Sequence, residues 1–234
     1  MEWLSRTELL FGEESVNKLK DKRVIVFGVG GVGGYVCEAL SRSGVGHIDI
    51  VDNDTVSVSN INRQIIALHS TVGQYKVDVM AKRMRDINPE IEINTYNTFY
   101  TPDTEGEFDL SKYDYVVDAI DTVSGKISLA VRAEALGIRI ISSMGAGNKT
   151  DPTAFKVADI YKTAVCPLAR AMRTELKKRN VRSLKVVYSE EKAITPDYPD
   201  EMKGERKLPP ASCAFIPSVV GLIMASEVIK DLTE

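Results

Sequence analysis

One stretch of the sequence, residues 23–54, constrains the fold more than any other. It begins with the apolar, β-branched run RVIVF, which predicts a buried strand, and continues directly into the glycine-rich sequence GVGGVG at 28–33. A helical segment at 34–43 and a second predicted strand at 47–51 follow, and the next residue is Asp52. The stretch therefore predicts a β-α-β unit with a glycine-rich first turn.

A turn of this kind is suited to binding phosphate groups. Its glycines let backbone N–H groups approach phosphates closely, and the N-terminus of the following helix favours negative charge. Asp52 can accept hydrogen bonds from ribose hydroxyls. The unit fits a dehydrogenase, a methyltransferase or an adenylating enzyme, so by itself it indicates a nucleotide and no more. Glycines that serve only a tight turn are the structural alternative.

Composition and charge narrow the class of protein. The chain has 234 residues, which suits one large α/β core, and its net charge of −3 is not typical of a nucleic-acid-binding protein as a whole. The three cysteines contain no C-x-x-C pair, which excludes a four-thiolate structural zinc site and suits a reducing cytoplasm. The N-terminus has no signal-peptide core, and the apolar run at 214–226 is shorter than the roughly 20 residues that span a bilayer. We expect a cytoplasmic protein, with weak contact to a membrane surface as an alternative.

Alternating strands and helices continue along the chain to about residue 150. Residues 1–22 are predicted to form a leader helix with an apolar stripe of Leu9, Leu10, Val16 and Leu19. Further helices are predicted at 74–87 and 126–136, and further strands at 91–96, 115–120 and 138–142. This order predicts an α/β fold with a Rossmann-like, doubly wound, mainly parallel sheet.

The pattern changes after residue 150. We expect a strand at 155–161 that leaves the parallel arrangement, a helix at 166–179, a short strand at 185–188, a mobile crossover or lid at 189–213 and a closing helix at 218–232. The whole chain is interpreted as a single domain. Within it, 23–150 is the nucleotide-binding core, and 151–234 is an elaborated C-terminal third that binds substrate and closes the fold.

Polar residues that follow the predicted strands should share one site, because ligands bind outside the carboxyl ends of strands in open α/β sheets. These residues are the glycines, Asp52 and Asp54, the pair Asp118 and Asp121, and the loop 144–149, with Arg63 and Lys76 as candidate cations. Adenylyl chemistry requires positive charge at the phosphates and a carboxylate for Mg²⁺, whereas hydride transfer does not. The alternatives are that Arg63 is solvated, that Asp118 is structural, and that Lys126 is an ordinary surface lysine.

A family resemblance narrows these alternatives. The segments GVGGVG, DNDTVSVSNINRQ, VGQYK and DAIDT, in this order, resemble the ubiquitin-activating-enzyme-like, ATP-dependent adenylating proteins, which include the adenylyltransferases of thiamine and molybdopterin biosynthesis. The resemblance implies ATP and Mg²⁺ as cofactors, with catalytic roles for Arg63, Lys76 and Asp121, and with Asp121 holding the metal. It also implies a homodimer in which Arg6 reaches the neighbouring ATP site. The full predicted nucleotide-binding set is Gly28, Gly30, Gly31, Gly33, Asp52, Asp54, Asn60, Arg63, Gln64, Lys76, Asp121 and Thr122.

Departures from the family pattern indicate a branch. The zinc-binding C-x-x-C pairs usual in the sulfur-carrier enzymes are absent, and there is no room for the catalytic-cysteine domain of the ubiquitin-type enzymes. The region 150–234 is similar to the tRNA-modifying branch. That similarity implies adenylation of the threonyl carboxylate of N6-threonylcarbamoyladenosine at tRNA position 37, followed by cyclisation with loss of AMP. The alternatives are activation of a ubiquitin-like sulfur carrier protein, an NAD-dependent oxidoreductase and a non-catalytic nucleotide-binding scaffold.

A basic segment in the C-terminal third fits a tRNA partner, because phosphate contacts dominate nucleic-acid affinity. Residues 170–185 contain seven basic residues and one acid, Glu175; the basic ones are Arg170, Arg173, Lys177, Lys178, Arg179, Arg182 and Lys185. A solvated helix face or an acidic protein partner is the alternative. Cys166 and Cys213 are expected to be packing thiols, with a persulfide relay to a sulfur-transfer protein as the alternative at Cys213. Cys37 is expected to be buried.

Overall fold

A seven-stranded sheet with the order β3-β2-β1-β4-β5-β7-β6 lies at the centre of the molecule. The structure is a computed structural model, and it describes residues 2–199, 201 and 208–234. All neighbouring strands pair in parallel except β6, which is antiparallel to β7. The strands are β1 Arg23–Phe27, β2 His47–Val51, β3 Thr95–Tyr96, β4 Tyr115–Asp118, β5 Arg139–Ser143, β6 Phe155–Asp159 and β7 Lys185–Ser189. The predicted Rossmann-like, mainly parallel sheet is confirmed, and so is the strand that leaves the parallel pattern.

Helices cover both faces of the sheet, as a doubly wound fold requires. Along β1, Val24 and Val26 pack on the face covered by α3, α4 and α7, whereas Ile25 and Phe27 pack on the opposite face together with Leu129 of α5. A third apolar cluster joins α5 and α6 to β7. The helices are α1 Ser5–Phe11, α2 Glu13–Lys20, α3 Gly33–Arg42, α4 Lys76–Ile87, α5 Val123–Leu136, α6 Pro167–Lys178 and α7 Phe215–Thr233.

The N-terminal leader differs from its prediction. It forms two short helices instead of one, because Gly12 takes a φ of +85° and breaks the chain direction between α1 and α2. Val16 and Leu19 of α2 are buried as expected, but Leu9 and Leu10 of α1 are 85% and 78% exposed. The prediction of one apolar stripe was therefore wrong for α1.

Other differences concern element ends. The strand predicted at 91–96 is regular only at Thr95–Tyr96, since the Asn94 N–H donates to the side chain of Asp49 instead of extending a ladder. The closing helix begins at Phe215, earlier than predicted, with Pro217 in its first turn, where no N–H partner is lost. The interpretation of 189–213 as a mobile lid falls partly on residues outside those described. No helix in the described part of the chain is long and apolar enough to cross a bilayer.

The glycine-rich turn is enclosed by the ends of three strands. Gly28 has a φ of +88°, its N–H donates to the Val51 carbonyl at 2.8 Å, and a Cβ added to it would lie 2.7 Å from the Ala119 carbonyl oxygen. A Cβ on Gly33 would lie only 1.8 Å from the Gly28 carbonyl oxygen. Both positions therefore require glycine, since any side chain would collide with backbone atoms.

We expect Gly28→Ala to destabilise the protein more than Gly73→Ala. Gly73 has nearly the same φ, +87°, but no atom lies within 4 Å of the position its Cβ would occupy. The left-handed conformation alone should cost Gly73→Ala about 1–2 kcal/mol, and the collision should add about 2 kcal/mol at Gly28. Urea unfolding followed by circular dichroism measures both values. Equal losses in the two variants would mean that the turn has room for a side chain.

Candidate active site

Asp52 is held by the backbone of the glycine-rich turn and of its own loop. Its Oδ2 accepts a hydrogen bond from the Val29 N–H at 2.7 Å, and its Oδ1 accepts one from the Asp54 N–H at 2.9 Å. Burial raises the pKa of Asp52, and the nearby charge of Lys76 opposes that rise. The carboxylate is thus fixed beside the turn, where it was predicted to contact a ribose.

Lys76 brings a buried positive charge to the same edge of the sheet. It is the first residue of α4 and is only 5% exposed, although the N-terminus of a helix disfavours a cation. Its Nζ lies 2.6 Å from Oδ2 of Asp54, whose side chain is 61% exposed. The Lys76 ammonium thus lies at a helix N-terminus that disfavours it, and it is neutralised there by the largely exposed carboxylate of Asp54.

Arg63 lies against the glycine-rich turn. Its Cγ is 3.7 Å from the position a Cβ on Gly31 would take, which brings together two residues predicted to contact phosphates. The Arg63 guanidinium donates to the Ser59 carbonyl and to Oδ1 of Asn62, and it pairs with no carboxylate in the described ranges. Its charge is therefore available to an anionic ligand.

Asn60 serves the loop that carries Arg63. Its Oδ1 accepts a hydrogen bond from the Ser57 N–H at 3.1 Å and closes a capping box at the short 3₁₀ turn Val58–Asn60. The side chain is buried at 9% exposure. Asn60 belongs to the predicted nucleotide-binding set, and in this structure it fixes the conformation of the loop.

Two buried side-chain polar atoms of residues that follow the strands have no hydrogen-bond partner within the described part of the chain. They are Oε1 of Gln64 and Oγ1 of Thr122, both in the predicted nucleotide-binding set. Nε2 of Gln64 lies 3.7 Å from the Cβ position of Gly30, so its amide borders the turn. Leaving a buried polar group unpaired costs about 1–3 kcal/mol, and such groups in native structures commonly have a functional explanation. A bound nucleotide is a ligand that can satisfy them.

Asp121 presents a free carboxylate next to the turn. The segment that carries it adjoins Gly28 through Ala119, whose N–H donates to the Phe27 carbonyl at 2.8 Å. Asp121 is exposed and has no hydrogen-bond or ion-pair partner among the residues that the structure describes. In that same part of the chain, no group of three or more His, Cys, Asp or Glu residues is placed to hold a metal. This arrangement fits Mg²⁺, which takes one or two carboxylates and completes its shell with phosphate oxygens and water.

A buried ion pair behind Asp121 was missed at the sequence level. Lys126 is 1% exposed, so its interpretation as a surface lysine was wrong, whereas the structural role expected for Asp118 is confirmed. Lys126 Nζ lies 3.1 Å from Asp118 Oδ1 and 2.8 Å from the Ser143 carbonyl oxygen, and the Ser142 hydroxyl donates to Asp118 Oδ2 at 2.5 Å. The network joins the ends of β4 and β5 to the first turn of α5. The one available signal was a lysine on the apolar face of a predicted helix.

The basic segment is less positively charged at its surface than its sequence indicates. Acids compensate four of its cations: Lys178 and Arg179 pair with Glu175, Arg182 with Glu134 and Lys185 with Asp231. Arg173 donates to the backbone carbonyl and hydroxyl of Thr163. Arg170 and Lys177 are exposed on α6, and their side chains have no acidic partner in the ranges described.

The cysteines are placed as packing groups. Cys37 and Cys166 are buried, Cys213 is half-buried against the main core, and all three are free thiols. Burial raises the pKa of the Cys37 thiol well above its usual range, so this sulfur is not reactive at neutral pH. Cys166 at 4% exposure is likewise inaccessible to a substrate.

Arg6 lies on the leader, which packs near the C-terminal end of α3. Leu4, two residues before it, packs against Gly44 just beyond the C-terminal end of α3, with Leu4 Cδ1 2.8 Å from the Cβ position of Gly44. The turn precedes the other end of that helix, about 15 Å away at a rise of 1.5 Å per residue. Arg6 is exposed and makes no ion pair within the described part of the chain.

Comparison with known proteins agrees with this arrangement. Residues 4–234 match the model of the ThiF family. A protein of Bacillus subtilis (strain 168) named tRNA threonylcarbamoyladenosine dehydratase is 48% identical over 237 residues, covering 97% of this chain and 93% of that protein. A protein of the same name from Escherichia coli (strain K12) is 42% identical over 171 residues, covering 73% of this chain and 64% of that protein. The crystal structure of E. coli tRNA N6-threonylcarbamoyladenosine dehydratase in complex with ATP superimposes with a TM-score of 0.88 at 34% identity, covering 99% of this chain and 93% of that one.

We expect Lys126→Met to lower the free energy of unfolding by about 3–5 kcal/mol, because it leaves Asp118 as an uncompensated buried charge. Adding Asp118→Asn removes that charge, so the double variant should recover more than half of the loss. Urea denaturation of the two single variants and the double variant measures the coupling. If the double variant were no more stable than Lys126→Met, the ion pair would not be the source of the loss.

Proposed function

The chain belongs to the ThiF family, and we propose that within this family it is an ATP-dependent tRNA threonylcarbamoyladenosine dehydratase. In the proposed reaction the enzyme adenylates the threonyl carboxylate of N6-threonylcarbamoyladenosine at tRNA position 37 and then closes the side chain into a ring. The observation that carries the choice of substrate is the 48% identity to a dehydratase over 97% of this chain, which includes the C-terminal third. We also propose a cytoplasmic location, which a tRNA substrate supports.

The charges at the carboxyl edge of the sheet support adenylyl transfer. Arg63 and Lys76 supply positive charge beside the glycine-rich turn, and Asp121 supplies a carboxylate that has no competing partner among the residues the structure describes. Preorganised charges of this kind stabilise the negative charge that develops on phosphate oxygens during displacement. An oxidoreductase needs no such cations at the cofactor, so this arrangement disfavours the NAD-dependent alternative.

The chemistry divides into two displacements. In the first, an oxygen of the threonyl carboxylate attacks the α-phosphorus of ATP, and the bond to pyrophosphate breaks. In the second, a nitrogen of the same modified nucleoside attacks the acyl carbon, loses its proton and expels AMP. The substrate supplies both nucleophiles, so no side chain of the enzyme forms a covalent bond. Mg²⁺, held by Asp121 and phosphate oxygens, would neutralise charge on the phosphates when bound.

In this proposal Arg63 and Lys76 neutralise charge on the α-phosphate and on the departing pyrophosphate. Asp52 orients the ribose, while the N–H groups of the turn and the N-terminus of α3 face the phosphates. Gln64 and Thr122, each with a buried polar atom that has no partner in the described ranges, provide further contacts to the nucleotide. Activation of a ubiquitin-like sulfur carrier would use the same adenylation step, so the acceptor is what an experiment must establish.

The proposed function predicts that AMP and pyrophosphate are released only with tRNA that carries the threonylcarbamoyl group. Both products should be measured with modified tRNA, with unmodified tRNA and without tRNA, and the ring-closed nucleoside should be detected by mass spectrometry after digestion. Release that ignores the modification would contradict the assignment. Pyrophosphate release with a ubiquitin-like carrier and not with tRNA would establish the sulfur-carrier alternative.

We further propose that the enzyme is a homodimer in which Arg6 completes the partner's site. Leu4, two residues before Arg6, packs at the end of α3 that is about 15 Å from the turn of the same chain. Arg6 also adjoins apolar side chains that are exposed on the leader: Trp3, Leu9, Leu10 and Phe11. Exposed apolar patches of this kind mark protein–protein contacts.

Mixing two inactive variants tests this arrangement. Homodimers of Arg6→Ala and of Asp121→Ala should each turn over poorly, because every site lacks one residue. In a 1:1 mixture that exchanges subunits, the heterodimers contain one complete site, so activity should return to about a quarter of wild type for an isologous dimer. Size-exclusion chromatography with light scattering serves as the control for assembly. Full activity of Arg6→Ala, or no recovery in an exchanged mixture, would rule out a shared site.

A further inference from the structure

A cavity of about 370 Å³ lies beside the candidate active site and belongs to none of the functions assigned so far. We call it the α5–α6 cavity, since it opens between α5, the end of α6 and the turn around residue 102. Pro102, Ile127 and Val131 form its apolar wall, and Ser124, Arg132 and Arg179 lie around its polar side. This volume is at the small end of ligand sites, which favours one small planar group over a large ligand.

The location of the cavity links two regions already described. Ser124, at one end, is on the first turn of α5 and only three residues after Asp121. Val131 is two turns further along the same helix, about 10 Å away. Arg179, at the other side, is the residue after α6 and part of the basic segment. A chain that crosses from the basic segment to Asp121 would pass over this cavity.

Hydrogen bonds among its lining residues hold the cavity open. Arg132 donates to the carbonyl oxygens of Glu105 and Phe108, and it also donates to the hydroxyl of Tyr100 at 3.2 Å. The Ser128 hydroxyl donates to the Glu105 carboxylate. These groups use their polar atoms on one another, so the shape of the cavity does not depend on a ligand.

Arg179, unlike Arg132, is held among the described residues only by hydrogen bonds to a partly exposed residue, Glu175. Its guanidinium donates to the carbonyl oxygen of Glu175 at 2.9 Å and to the carboxylate of Glu175 at 2.6 Å, and its side chain is 43% exposed. Exposed ion pairs contribute little to stability, about 0–1 kcal/mol, so the guanidinium can exchange Glu175 for a phosphate at small cost. Phe99 is 50% exposed, and its carbonyl accepts from the Thr104 hydroxyl of the same turn.

We propose that the α5–α6 cavity binds a splayed-out nucleotide of the tRNA that neighbours the reacting nucleoside. Its base packs against Pro102, Ile127 and Val131, and its phosphate is met by Arg179. Proteins recognise single-stranded RNA loops by unstacking bases into apolar or aromatic pockets and by pairing Arg with the backbone. This inference rests on the proposed function and adds a second contact point that places nucleotide 37 at Asp121.

Binding of a modified anticodon stem-loop RNA, measured by fluorescence anisotropy, tests the cavity. Arg179→Ala should raise the dissociation constant about tenfold. Lys82→Ala, which removes the same charge at an exposed position of α4 outside the basic segment, should change it less than threefold. ATP affinity, which depends on the glycine-rich turn and on the residues before α5, should stay unchanged in both variants. Measuring it therefore shows that the variants are folded.

Filling the cavity provides an independent variant. Val131→Trp should weaken RNA binding to a similar degree, whereas Leu136→Trp, at an exposed position of the same helix, should not. With 2-aminopurine next to position 37, wild type should give a fluorescence change that Val131→Trp abolishes. If both cavity variants bind the RNA as wild type does, the cavity proposal is overturned. Wild-type release of AMP with modified tRNA would in that case leave the proposed function intact.

Discussion

The close contact of Gly28 with the ends of β2 and β4 is the constraint on which the site depends. Its N–H bonds to the Val51 carbonyl, and the Ala119 carbonyl occupies the space where a side chain would be. Because three strands end within one turn, the residues that follow each of them are brought to the same place. Asp52 follows β2, the glycine-rich turn follows β1, and Asp121 follows β4. The residues of the site are thus brought together because β1, β2 and β4 end close to one another at the carboxyl edge of the sheet.

Charges near this edge fall into two kinds. Lys126 and Asp118 are fully buried, satisfied by each other and by β5, and they hold the turn before α5 in place. Arg63 and Asp121 have no partner of opposite charge in the described residues, so they remain available to ligands. The buried ion pair therefore holds the backbone of the site in place, while the charges without an oppositely charged partner face the ligand.

Much of this could be predicted because local pattern and fold rule agree. The apolar run before Gly28 predicts the first strand, and the acids after β2 and β4 mark the carboxyl edge of the sheet. The residues at that edge indicate the class of ligand. Prediction failed where long-range packing decides the outcome. The burial of Lys126 depends on β5, which adds Ser142 and Ser143 to the network, and a lysine on the apolar face of a helix is too weak a local signal to predict this. The compensation of Arg182 by Glu134 joins residues 48 positions apart, so the surface charge of the basic segment could not be derived from composition.

The pairing of Lys76 with Asp54 makes nucleotide binding an exchange of counter-ions. Before a phosphate arrives, the buried ammonium is neutralised by an acid whose side chain is largely in solvent. If Lys76 contacts phosphate as proposed, an incoming phosphate replaces that carboxylate, so the number of buried charges on the protein does not change and only the identity of the anion does. The electrostatic gain at this position is therefore the difference between two pairings and not the value of a new one. Such a site discriminates anions by how well they compete with a tethered carboxylate, which favours the multiply charged oxygens of a triphosphate over a weaker anion.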